Sequence, residues 1–168
     1  MRTTRPGRLI LLCGLPGAGK TTLARRLAGE LPAIRLCPDE WLADLGIDAY
    51  DEQARDRLER LFRRHAHDLL RLGQTVILEF GFWSRAEREE LRLAARALGA
   101  AVELRYLAAP LEELHSRLEG RNATGGRGTV PISRDMLDHW ATLFEPPTPD
   151  EMALFDEPAT SPREDTAG

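Results

Sequence analysis

Apolar residues in this chain fall into short unbroken runs, separated by longer stretches in which they recur every three or four positions. The first run, Arg8 to Cys13, leads straight into Gly14-Leu15-Pro16-Gly17-Ala18-Gly19-Lys20-Thr21, and Leu23, Leu27 and Leu31 follow at helical spacing. That order predicts strand, glycine loop, helix. Leu31-Pro32 ends the helix, and Ala33 to Cys37 predicts a second brief strand running into Pro38-Asp39-Glu40-Trp41. From Asp51 to Leu72, Leu58, Leu61, Phe62, Leu69 and Leu70 lie on one side of a long charged helix that Gly73 closes. Thr75 to Phe80 predicts a buried strand of the parallel type, with Glu79 near its C-terminal end.

A helix over Ser84 to Leu98 comes next, with Ser84 and Glu87 spaced as a capping box and Gly99 as its stop. Ala101 to Leu107 predicts a fourth strand and Pro110 to Glu119 a helix, followed by a glycine-rich, arginine-bearing loop, Gly120 to Gly128, expected to be mobile. A helix over Ser133 to Phe144 is broken by Glu145 to Pro149, and Met152 to Phe155 suggests a short last strand. Strands alternating with helices predict an α/β fold with a mostly parallel sheet. The expected organisation is one domain over residues 1–157, with a lid at about 117–132 and a disordered tail over 158–168.

A length of 168 residues suits a single domain, and 42% hydrophobic with 30% charged residues suits an ordinary soluble one. The apolar stretch Leu9 to Cys13 is too short for a signal-peptide core or a membrane span, so a cytoplasmic protein without a membrane partner is expected. Cys13 and Cys37 read as small core residues. The net charge of −4 and pI near 5.6 weigh against a general nucleic-acid binder. Among 23 basic residues the single lysine is Lys20.

That lysine sits in a complete G-x-x-x-x-G-K-[ST] pattern, in the strand-then-helix setting its mechanism requires. Gly14, Pro16, Gly17, Ala18, Gly19, Lys20, Thr21 and Thr22 are therefore expected to bind ATP. Backbone N–H groups and the helix N-terminus would wrap the phosphates, Lys20 would reach the β- and γ-phosphates, and Thr21 would ligate Mg²⁺. Ligands of an open parallel sheet bind beyond its C-terminal strand ends, where Asp39 and Glu79 would both lie. Asp39 is the candidate general base, the other reading being a cap for a short helix over Glu40 to Leu45. Glu79 is a candidate for holding a magnesium-bound water or an acceptor hydroxyl. Arg117 and Arg121, four apart on one helix face, and Arg127 in the loop are candidate lid arginines for a transferring phosphoryl group. Trp41, Phe82 and Trp83 follow strands two and three and either wall an acceptor pocket or pack in the core. His65, His67, His115 and His139 show no pattern of ligands or partners.

With those residues in place, the chain resembles the small P-loop kinases related to chloramphenicol phosphotransferase, zeta toxin and the kinase domain of polynucleotide kinase. The likeness spans most of residues 8 to 156. It rests on Gly14 to Thr21, Asp39 after strand two, the acidic residue ending strand three, Arg117-x-x-x-Arg121, and Phe144-Glu145-Pro146-Pro147 ahead of Glu151. The resemblance implies a three-layer P-loop NTPase fold with a five-stranded parallel sheet, a base at Asp39 and lid arginines at Arg117 and Arg121. Many relatives have aspartate where this chain has Glu79. The reaction implied is transfer of the γ-phosphoryl group of ATP to a hydroxyl of a small molecule: an antibiotic, sugar, nucleoside or other metabolite. A polynucleotide 5′-hydroxyl kinase and a nucleotide-dependent switch with little transfer activity are the alternatives.

Overall fold

In the computed structural model, which describes residues 5–126 and 129–159, the central strand β1 (Arg8–Cys13) is the most thoroughly covered part of the chain. The elements follow as α1 (Lys20–Glu30), β2 (Ala33–Leu36), α2 (Pro38–Asp44), α3 (Glu52–Arg71), β3 (Thr75–Gly81), α4 (Arg85–Ala97), β4 (Ala101–Tyr106), α5 (Leu111–Thr124), α6 (Arg134–Leu143) and α7 (Pro149–Met152). The sheet has the order β2-β3-β1-β4, and all three pairings are parallel. Because successive side chains of a strand alternate in direction, β1 divides its residues between two layers. Leu9, Leu11 and Cys13 pack with Phe62, Leu70, Leu91 and Ala95 of α3 and α4. Ile10 and Leu12 pack with Ala24 and Leu27 of α1. A third apolar cluster, Ala18, Leu114, Leu118, Ile132 and Leu137, joins the glycine loop to α5 and α6.

The sheet has four strands among the described residues, one fewer than the resemblance implies, and the expected strand over Met152 to Phe155 is not formed. Thr148 accepts a hydrogen bond from the Glu151 amide and Pro149 takes the first helical position, so the chain turns into α7 instead. After that turn, Asp156 docks once on the open edge of β4. Its amide donates to the Val102 carbonyl at 2.8 Å, and its carboxylate accepts from the Val102 amide at 2.7 Å. A side chain thus satisfies an edge amide that a strand would otherwise have paired. Helix α5 runs past Glu119 to Thr124, so the first part of the expected loop is helical. Residues 160–168 of the expected tail lie outside the described residues, as does Arg127.

A charge sits on the apolar stripe of α4. Arg88 shares the face of Leu91 and Ala95, is 0% exposed, and is met by Glu151 through two bonds, Nε–Oε1 at 2.6 Å and Nη2–Oε2 at 2.9 Å. Its third donor, Nη1, goes to the Phe82 carbonyl at 2.8 Å. The pair ties α7 to the end of β3. Removing one partner alone strands a buried charge, so Glu151→Gln or Arg88→Met is expected to cost about 3–5 kcal/mol in urea unfolding, while Arg88→Met with Glu151→Met costs less than either single change.

Candidate active site

Parallel pairing puts the C-terminal ends of β1, β3 and β4 side by side, and the loop leaving β1 threads between the other two. The Gly14 amide donates to the Gly81 carbonyl at 3.0 Å, and the Leu107 amide donates to the Cys13 carbonyl at 2.9 Å. A Cβ on Gly14 would come within 2.9 Å of the Leu107 carbonyl oxygen, so only glycine passes there. Gly17 (φ 85°) and Gly19 (φ 97°) take left-handed backbone, which turns the chain into α1 with Gly19 as its N-cap. The amides of this turn and the helix N-terminus make an anion cradle. Lys20 folds over the loop, its Nζ donating to the carbonyls of Gly14 at 2.8 Å and Leu15 at 2.9 Å. Burial pushes the Lys20 ammonium down to about 8, against the opposing pull of Asp39.

Thr21 and Glu79 come together as expected of neighbours across the β1–β3 edge: the Thr21 hydroxyl donates to Glu79 Oε1 at 3.1 Å. Glu79 Oε2 is held by Arg35 of β2, through Nε at 2.9 Å and Nη2 at 2.8 Å. Arg35 continues to Glu40 at 3.4 Å, and Glu40 to Arg25 at 2.8 Å. Burial raises the Glu79 pKa, with Arg35 and Thr21 countering part of that rise. Among the described residues no three His, Cys, Asp or Glu side chains group as a metal cage. Two hard oxygens, Thr21 Oγ and Glu79 Oε1, fit a magnesium ion that takes its remaining ligands from nucleotide phosphates and water.

Helix α2 begins at Pro38 with Cys37 as its N-cap, and that cap makes no side-chain hydrogen bond. The capping reading of Asp39 is therefore set aside. Its carboxylate lies in the first turn and pairs with Arg55 of α3, while its charge is felt by both Lys20 and Arg121. Arg117 and Arg121 share one face of α5. Arg117 donates to the Gly17 carbonyl at 3.2 Å and pairs with Glu113, and Arg121 carries a buried Nε without a hydrogen-bond partner. Burial lowers the Arg121 pKa from its ordinary range, with Asp39 offsetting part.

Lys20, Asp39, Glu79, Trp83, Arg117 and Arg121 all line one cavity of about 1290 Å³. Trp41 does not. It stands two residues past Asp39 on α2, roughly 200° around the helix, and packs edge-on against Phe62 at 4.9 Å beside a separate shallow groove. Phe82 belongs to the core: it is buried, stacks on Phe80 at 5.2 Å, and holds a left-handed backbone (φ 49°) braced by Arg88 and by the Cys13 thiol at 3.4 Å. Cys13 and Cys37 are buried and free, and burial pushes their thiols up to about 11 and about 12. His115, unassigned from sequence, is buried and shares a 2.8 Å hydrogen bond with Asp138, joining α5 to α6. Arg35, Arg55, Glu59, Tyr50 and Trp140 enter the site unannounced. Arg55 and Glu59 sit on the charged face of a long helix, where spacing does not distinguish a pocket from solvent.

A glycine loop between a central parallel strand and a helix, with Arg117 and Arg121 of α5 lining the same cavity, defines a P-loop nucleotide-binding protein with a kinase-like fold. A family model described as an AAA domain matches residues 9–147, and the chain belongs to that family. The hemin import ATP-binding protein HmuV of Hahella chejuensis (strain KCTC 2396) is 31% identical over 164 residues, which cover 93% of this chain and 56% of that protein. A chain of the Pnkp1/Rnl/Hen1 RNA repair complex matches with a TM-score of 0.71 at 20% identity, covering 92% of this chain and 48% of that one. A gluconokinase from Sinorhizobium meliloti 1021 matches at 0.58 and 18% identity, covering 89% and 80% of the two chains. A sugar kinase from Janibacter sp. HTCC2649 matches at 0.61 and 22% identity, covering 87% and 82%. This chain spans about half the length of the hemin-import protein and of the RNA-repair chain. At these identities the three solved structures share its fold. No helix among the described residues is long and apolar enough to cross a membrane.

A phosphate bound beside Lys20 favours its charged form, so below pH 8 the lysine is charged whether or not nucleotide is present. Above that value binding must take up a proton. ADP affinity, measured by calorimetry from pH 7 to 9.5, is expected to be level up to about 8 and then to fall by up to about tenfold per pH unit, and Lys20→Arg is expected to flatten the fall. A flat wild-type profile would contradict this.

Proposed function

We propose that this protein is an ATP-dependent phosphotransferase that moves the γ-phosphoryl group to a hydroxyl of a small molecule in the cytoplasm. The observation that carries the reading is one cavity holding a phosphate cradle with Lys20 and, facing them, a carboxylate at Asp39 that is held by Arg55 and not spent on a helix cap. In this reading the loop Gly14 to Thr22 and Arg117 bind the nucleotide. Thr21 and Glu79 hold the magnesium ion, which when bound neutralises phosphate charge.

The acceptor oxygen attacks the γ-phosphorus while the bond to the bridging β,γ-oxygen breaks. Its proton passes to Asp39, and ADP leaves. Lys20 and Arg121 stabilise the charge spread over the transferring group, and the unpartnered Arg121 Nε is a donor free for that role. Arg55 orients the Asp39 carboxylate.

A second reading, phosphorylation of a polynucleotide 5′-hydroxyl, is favoured by the likeness to a chain of an RNA repair complex. A switch without transfer would dispense with the Asp39 carboxylate. The test is ADP release and product mass with ATP and Mg²⁺ across pools of sugars, nucleosides, antibiotics and 5′-hydroxyl oligonucleotides. Asp39→Asn is expected to lower turnover by about 10²–10⁴-fold with ATP affinity kept. Full activity in Asp39→Asn, or no product from any pool, would sink the proposal.

A further inference from the structure

The acceptor end of the cavity is the part that the nucleotide does not explain, and it has three properties. It is bridged on one side. The Tyr50 hydroxyl, on the connection between α2 and α3, donates to the Pro131 carbonyl on the connection between α5 and α6. Its floor is aromatic, since Trp83 and Trp140 lie 5.7 Å apart with their planes tilted by 46°, both half-buried and both facing the cavity. Finally, it carries carboxylates: Asp39, Glu59 and Glu87 are on the cavity lining, where Arg55 is engaged with Asp39, and Arg63, which is not on the lining, pairs with Glu87 at 2.5 Å.

The odd carboxylate is Glu59. Its side chain is 20% exposed, and its one ion pair among the described residues is to Arg55 Nη1 at 4.0 Å, which is shared with Asp39. Burial, with Arg55 and Arg63 countering and Glu87 and Asp56 adding to it, pushes the Glu59 carboxyl up to about 7. A carboxylate so placed gains from any cation brought beside it and loses from any anion.

We infer that the acceptor is a compact ring-bearing alcohol carrying a cationic amine, its ring against Trp83 and Trp140 and its ammonium beside Glu59. The inference rests on the phosphotransferase reading. An indole face adds to the attraction for an ammonium. A phosphate- or carboxylate-bearing acceptor placed there would meet the like charges of Glu59 and Glu87.

The test uses one ring with four substituents: 4-aminocyclohexanol, cyclohexane-1,4-diol, 4-hydroxycyclohexanecarboxylate and 4-hydroxycyclohexyl phosphate, alongside a 5′-hydroxyl oligonucleotide. Binding to the full chain is read from tryptophan fluorescence in a Trp41→Phe background, which leaves Trp83 and Trp140 as reporters, and transfer from ATP is read by product mass. The amine is expected to bind about tenfold tighter than the carboxylate, the scale of one partly buried charge pair. Glu59→Gln should reduce the amine's affinity to that of the diol and leave the diol's unchanged. Equal or tighter binding of the carboxylate or phosphate overturns the inference, as does preferred transfer to the oligonucleotide, and the kinase reading survives both. Selective amine binding without transfer to any acceptor upholds the charge class and overturns the kinase reading instead.

Discussion

Everything at the site hangs on β1 being the inner strand of a parallel sheet. Held between β3 and β4, it can release its chain only upward, between their two C-terminal ends, and the close approach of Gly14 to the Leu107 carbonyl leaves no room for a side chain at that exit. Left-handed turns at Gly17 and Gly19 then aim successive amides at one point and start α1 there. The same geometry sets Glu79 at the end of β3 beside Thr21, and Asp39 in the turn after β2 beside Lys20. A parallel sheet brings chemistry from distant parts of the chain to one edge without any residue needing to know of another.

Charge is the second constraint. An arginine-rich chain could leave its cations to solvent, yet here they are matched in series: Arg35 to Glu79 and Glu40, Arg25 to Glu40, Arg55 to Asp39, Arg63 to Glu87, Arg88 to Glu151. Pairing fixes these carboxylates in place around one cavity. Lys20, lowered by burial over the phosphate cradle, Arg121 with its unpartnered Nε, and the loosely held Glu59 line the same cavity.

How much of this was legible beforehand depends on the range of the interaction. Strands β1 to β4 and the helices between them follow from local periodicity, as does Ser84 as a cap, because each is decided by residues within a few positions. The Gly14 to Thr21 loop is legible for the same reason. Of the two readings of Trp41, pocket wall or packing, the structure places it on the packing side: α2 starts one residue before Asp39, which turns the indole away from the cavity and onto Phe62. The fifth strand failed on Pro149 and on a side chain, Asp156, standing in for a backbone partner. Arg88 with Glu151, Arg55 with Asp39, and Trp83 with Trp140 are contacts across 63, 16 and 57 residues of chain, and no local spacing encodes them.

In the proposed mechanism the phosphate cradle and the Asp39 carboxylate serve the same reacting centre. A crystal structure with ADP, magnesium, aluminium fluoride and an acceptor addresses it most directly. The fluoride group is expected between ADP and the acceptor oxygen, with Asp39 within hydrogen-bond reach of that oxygen, about 2.6–3.2 Å. An acceptor oxygen lying away from Asp39, with that carboxylate turned to Arg55 alone, would contradict it.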